Sequence, residues 1–155
     1  MRSIRPLAIS LGLTLGVGFL GALSTSSQIE TWYVTINKPS FSPPNWIFGP
    51  VWTLLYIAMA VAAWRVFEVR PHPLRRIALA SYGGHLLINA AWSYVFFGFE
   101  SPESALVVII GLLGLIVAVG TMFYLIDRKA GILFVPYFLW VCFATVLNTS
   151  IVSLN

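Results

Sequence analysis

The chain has 155 residues, of which 59% are apolar and only 9% are Asp, Glu, Lys or Arg. A water-soluble domain carries roughly 25% charged residues, so a soluble globule is excluded, and an aromatic content of 15% excludes a disordered chain as well. The single cysteine, Cys142, leaves no disulfide framework and no multi-thiolate metal site; the remaining solvent is the lipid bilayer.

The few charges divide the chain into five uncharged windows: Pro6–Ile29, Pro39–Trp64, Ile77–Phe99, Ser104–Ile126 and Ala130–Asn155. Each exceeds the roughly 20 residues a helix needs to cross about 30 Å of hydrocarbon. Runs such as Ala105–Val119 lack the alternation of barrel strands. The expected fold is all-α, a single domain over 1–155 formed by a bundle of five transmembrane helices. The spans are expected near 6–25, 44–65, 75–98, 103–126 and 130–152, with a long lid loop, 26–43, between the first two. Arg2 and Arg5 ahead of an apolar run ending in Gly21, Ala22 and Ser24 resemble a signal peptide. The run is longer than an ordinary signal core and dotted with glycine, so it is read as a retained first span.

Eight of the nine basic residues fall on one side of such a bundle: Arg2, Arg5, Arg65, Arg70, Arg75, Arg76, Arg128 and Lys129. Lys38 alone falls on the other. The positive-inside rule places the N-terminus and the loops after the second and fourth spans in the cytoplasm. Because these groups sit at the boundary and form no groove interleaved with aromatics, the basic character is topological and no nucleic-acid partner is expected.

The first connection, about 20 residues long, exceeds the usual bundle loop and suits a lid. It carries Trp32 and Tyr33, then Lys38-Pro39 and Ser42-Pro43-Pro44, whose prolines stiffen the approach to the second span. Gly12 with Gly16, and Gly114 with Ala118, have the small-x-x-x-small spacing that lets helices approach closely, either in a homodimer seam or within one bundle.

In the third window Ser81, His85, Asn89 and Ser93 recur at steps of four, so they share one face, with Trp92 on its flank. Polar groups at membrane depth are costly unless partnered, so that face looks inward. At 1.5 Å per residue Asn89 lies roughly 16 to 20 Å from the nearest boundary charges, and Trp52 and Trp140 roughly 12 to 17 Å deep. Two indoles and an amide at similar depth on three helices can either fill the core or wall a pocket for a flat aromatic ligand. His85 is compatible with a haem ligand and equally with a satisfied hydrogen bond. No Asp or Glu lies within a window, which argues against a proton-coupled pump. No catalytic triad, phosphate loop or metal-ligand cluster is present in the sequence, so neither catalytic nor metal residues are assigned.

The stretch Trp32-Tyr33-Val34-Thr35-Ile36-Asn37-Lys38-Pro39-Ser40-Phe41-Ser42-Pro43-Pro44-Asn45-Trp46-Ile47-Phe48-Gly49-Pro50-Val51-Trp52 resembles the signature of the translocator protein family, the tryptophan-rich sensory proteins or peripheral-type benzodiazepine receptors. Asn89–Tyr94 (N-A-A-W-S-Y), Pro136–Trp140 (P-Y-F-L-W) and Ala144–Asn148 (A-T-V-L-N) extend the resemblance over essentially the whole chain. It implies a five-helix bundle, often dimeric, that binds porphyrins such as protoporphyrin IX and haem beneath the first loop. No cofactor is required, and the porphyrin is the ligand. Carried over, Trp32 and Tyr33 close the lid and Pro44 shapes the rim. Trp52, Tyr56, Asn89, Trp92, Ser93, Trp140 and Ala144 line the walls.

On this reading Lys38 is available to a ligand carboxylate. The family's implied roles are tetrapyrrole handling or stress sensing, with light- and oxygen-dependent protoporphyrin degradation and steroid or lipid transport as alternatives. The proposed sterol motif of animal members is absent, since Val146–Asn155 holds neither Tyr nor a basic residue. The charge asymmetry favours a bacterial inner membrane, with an outer membrane as the alternative.

Overall fold

A computed structural model describes residues 4–69 and 71–155, so Arg2 and Arg70, both used in the charge count, lie outside the described residues. Among the described residues the regular structure is entirely helical. It comprises α1 (Ile4–Gln28), a 3-10 turn (Asn45–Ile47), α2 (Phe48–Glu68), α3 (Arg75–Ser93), a π turn (Tyr94–Gly98), α4 (Pro102–Ile126), α5 (Arg128–Ile132) and α6 (Val135–Leu154). Four segments are long and apolar enough to cross a membrane: Ile4–Gln28, Asn45–Glu68, Pro102–Ile126 and Arg128–Leu154. The 19-residue α3 is less apolar, because Arg75 and Arg76 open it and the Ser81, His85, Asn89 and Ser93 stripe runs along it.

The helix boundaries follow from proline and polar side chains. Pro102 occupies the first turn of α4, where its missing N–H costs nothing. Pro136 has no N–H to offer the carbonyl of Ile132, so the final helical segment, expected as one span, breaks into α5 and α6 around Leu133 and Phe134. Asp127 restarts the chain as N-cap of α5, its carboxylate accepting from the Ala130 N–H at 3.1 Å. The same carboxylate is bidentate with Arg65, with Nη2 at 2.9 and 2.7 Å from its two oxygens and Nε at 3.2 Å from Oδ1, which clips the end of α2 to the α4–α5 joint. Close approach there depends on Gly131, where a Cβ would fall 2.6 Å from the Tyr124 Cα. In the first connection α1 runs to Gln28 and α2 begins at Phe48, so Pro44 precedes the 3-10 turn and Pro50 lies in the first turn of α2.

α1 packs along α2 and α3, and α4 packs along α3 and α6. The central core joins Met59 and Val66 of α2, Tyr82 and Leu86 of α3, Ile109, Leu112, Ile116 and Phe123 of α4, and Phe134, Tyr137 and Val141 at the final segment. Lipid tails are as apolar as these side chains, so close packing and hydrogen bonds between helices carry the association. Ser10 donates to the Ala60 carbonyl at 2.7 Å, Thr14 and Tyr82 share a buried bond of 2.7 Å, and Asn148 donates to the Pro102 carbonyl at 2.8 Å. Neither small-residue pair is used in this way: Gly12, Gly16 and Gly114 have nothing within 4 Å of a built Cβ, and they face outward with Ala118.

Candidate functional site

At the end of the bundle opposite the Arg65–Asp127 clip, α1, α2, the α3–π segment and α6 enclose a cavity of about 430 Å³. That is within the roughly 300–1,000 Å³ of small-molecule sites. Trp52 and Tyr56 of α2, Trp92 and Ser93 of α3, and Trp140 and Ala144 of α6 all line it. α2 and α6 meet across it through rings: Phe48 packs edge-on to Trp140 with centroids 6.1 Å apart, and Trp52 to Tyr137 at 6.2 Å. The π turn widens the helix after Ser93 by one residue, so that Phe96 and Phe97, adjacent in sequence, are both buried and both reach the wall. Trp92 stacks on Phe96 at 5.4 Å.

Residues 29–44 cover this end. Tyr33 is 2% exposed, lies tilted against Phe96 and Phe97 at 6.2 and 5.7 Å, and lines the cavity. Burial raises the Tyr33 phenol above its ordinary pKa despite a hydrogen bond with Ser42, so it stays neutral. Trp32 packs edge-on behind it, against Phe96 at 5.6 Å, and is not on the cavity wall. The Lys38 ammonium turns back into its own loop, donating to the Tyr33 and Ile36 carbonyls at 2.6 and 3.3 Å and lying 4.8 Å from the Tyr33 ring centroid. It holds the lid and does not line the cavity, unlike the carboxylate-facing position expected for it. Asn37 fastens the same loop to the end of α6, its amide N–H donating to Asn155 Oδ1 at 3.0 Å and its side chain to the Leu154 carbonyl at 3.2 Å.

Pro44 is exposed and away from the wall. Asn89, expected on the wall, is buried one layer behind it, with both ends of its amide bonded to protein. The Tyr56 hydroxyl donates to Asn89 Oδ1 at 2.5 Å, and Asn89 Nδ2 donates to Tyr137 Oη at 2.7 Å. Tyr137 Oη lies 2.9 Å from His85 Nε2, while His85 Nδ1 lies 3.3 Å from the Tyr82 carbonyl. His85 is thus a fully partnered core residue. Trp140 Nε1 is buried with no hydrogen-bond partner among the described residues.

The contribution of α1 was not anticipated from the sequence. Leu15, Gly18, Phe19, Ala22 and Thr25 form one wall. A Cβ on Gly18 would lie 2.6 Å from Tyr56 Cε2, so the missing side chain is what lets the Tyr56 ring lie against α1. Small residues at 18 and 22, one turn apart, were the available signal. The described residues hold no group of three or more His, Cys, Asp or Glu able to bind a metal.

These features define a multi-pass helical membrane protein with an aromatic-walled chamber, closed at one end by an ordered loop. Residues 10–154 match the TspO/MBR family. The chain is 38% identical to the tryptophan-rich protein TspO of Chlorobaculum tepidum, covering 99% of this chain and 98% of that protein. It is also 38% identical to the protein of the same name from Archaeoglobus fulgidus, covering 99% of each. Identity to the translocator protein of Homo sapiens is 32%, over 92% of this chain and 88% of that one. The chain belongs to the TspO/MBR family.

Proposed function

We propose that the cavity binds porphyrins, protoporphyrin IX or haem, and related flat hydrophobic ligands, and that the protein serves tetrapyrrole handling or stress sensing. The observation that carries this reading is the convergence of Trp52, Trp92 and Trp140 from three helices on one chamber roofed by Tyr33. Indole faces suit a macrocycle, and offset stacking adds about 0.5–1.5 kcal/mol per aromatic pair beyond area burial. Asn89 and Lys38 act in this reading as supports, the first behind the wall and the second within the lid.

On the same reading the chain crosses the membrane five times, with α3 as a span whose buried His85 and Asn89 face its neighbours while Ile77, Leu87 and Ile88 face lipid. The end bearing Arg65, Arg75, Arg76, Arg128 and Lys129 faces the cytoplasm, and a bacterial inner membrane is the favoured location. The outward-facing Gly12 and Gly16 are the proposed homodimer seam.

The test is titration of detergent-purified protein with protoporphyrin IX, followed by indole quenching, in wild type and in Ala144→Trp, which fills the chamber. Saturable quenching at micromolar ligand is expected, weakened at least tenfold in the variant. Quenching that does not saturate in wild type overturns the porphyrin reading.

A further inference from the structure

The joint between α4, α5 and α6 carries a second hollow, a groove of about 260 Å³ that opens to the outside of the bundle and shares no lining residue with the chamber. Buried Ile116 and Phe134 form its floor, and exposed Val117, Tyr124 and Val135 form its rim. Gly120 on its α4 side and Gly131 on its α5 side add no side chain to the space. From Val117 to Tyr124 the groove follows about two turns of α4, roughly 10 Å along the helix axis. That shape takes one extended hydrocarbon chain lengthwise.

Two cations stand at one end of this groove. The Arg128 guanidinium lies 5.9 Å from the ring centroid of Tyr124, a rim residue, and Lys129 follows it in α5. Both are exposed, and they come just after Ile126, where the apolar span of α4 ends and lipid headgroups begin. Neighbouring charges are already engaged: Arg65 pairs with Asp127, and Arg75 donates to the Val69 carbonyl at 3.0 Å. Arg128 and Lys129 have neither a carboxylate nor a carbonyl partner among the described residues.

An apolar groove alone selects nothing in a bilayer, because lipid tails are as apolar as its walls. Cations at its headgroup end supply the selection. A guanidinium binds phosphate oxygens in pairs, and each basic group near the surface adds attraction for anionic lipid. A sterol brings one hydroxyl and no charge, and in a zwitterionic lipid the ammonium offsets the phosphate.

We propose that this groove holds one anionic glycerophospholipid, with an acyl chain along α4 between Val117 and Tyr124 and the phosphate on Arg128 and Lys129. The site is separate from the chamber and does not depend on what the chamber binds.

The test is native mass spectrometry of the full chain in detergent, titrated with phosphatidylglycerol and with phosphatidylcholine of the same acyl chains. Wild type is expected to hold one phosphatidylglycerol about tenfold to thirtyfold more tightly than phosphatidylcholine, the worth of two surface cations. Arg128→Gln with Lys129→Gln should abolish that preference. Val117→Trp, which fills the groove from its exposed rim, should weaken binding of both lipids severalfold. Arg76→Gln removes an exposed cation that is off the groove wall and should leave the preference intact. Phosphatidylglycerol should also raise the Tm of wild type and not that of the double variant.

Equal affinity for the two lipids, a preference that survives the double variant, one that is lost in Arg76→Gln, or undiminished binding in Val117→Trp overturns the proposal. Displacement of the lipid by glycerol phosphate overturns it in favour of a free anion, and displacement by cholesterol in favour of a sterol. Should the double variant fail to fold, the wild-type comparison of the two lipids and the Val117→Trp result decide the matter.

Discussion

Gly18 shows how much of the chamber depends on a side chain that is not there. Its Cα faces the edge of the Tyr56 ring, and any Cβ would collide with Cε2 and Cδ2 at 2.6 and 2.7 Å. Gly18→Val should therefore push Tyr56 from its place and strain the bond to Asn89. A loss of stability of roughly 1–3 kcal/mol is expected, read as a lower Tm, together with weaker protoporphyrin quenching. An unchanged Tm would show that the ring has room to move. At this scale the sequence was legible where a residue type is expensive in lipid. His85 and Asn89 at steps of four announced an inward face, because an unpartnered polar group there is costly. Their partners were not legible: nothing in the spacing shows that Tyr56 and Tyr137, far apart in sequence, close the chain of hydrogen bonds and draw Asn89 off the wall.

Among the elements, the joint between α4 and α5 rests on few groups. Asp127 caps α5 and receives Arg65 from α2, with side chains 10% and 20% exposed. Asp127→Ala removes the cap and leaves a partly buried guanidinium without this partner, a loss of roughly 2–4 kcal/mol. Thermal unfolding in detergent should show it, and Asp127→Asn, which keeps a capping oxygen, should lie between the two. A joint unaffected by Asp127→Ala would mean that packing around Gly131 alone holds it. That the chain is built of helices followed from charge placement. The α5–α6 break was not legible, and one span was expected there, since Pro136 is compatible with either a kink or a new helix start until the carbonyl of Ile132 is located. The π turn had no sequence signal: Tyr94–Gly98 reads as ordinary aromatic helix, and only its packing against Trp32, Tyr33 and Trp92 selects the wider turn.

For the whole molecule, the outward small-residue face of α1 bears on assembly. If Gly12 and Gly16 form the proposed seam, Gly12→Leu with Gly16→Leu should shift a cross-linked population in liposomes from dimer to monomer, leaving protoporphyrin quenching intact, because neither residue lines the chamber. An unchanged dimer fraction would move the seam elsewhere. The pattern of charges pointed to a membrane bundle because ionic groups are excluded from hydrocarbon. It could not reveal which helices enclose the chamber, since α1 contributes to it through Gly18 and Ala22, whose smallness is also what ordinary packing requires.

The π turn carries a further consequence. Shortening Tyr94–Gly98 by one residue would restore the tighter, commoner hydrogen-bond register and swing Phe97 by about 100° around the axis. The helix would be more regular, but Phe97 would leave both its buried cluster and the chamber wall, so the extra residue of the wider turn is what lets two adjacent rings serve one surface.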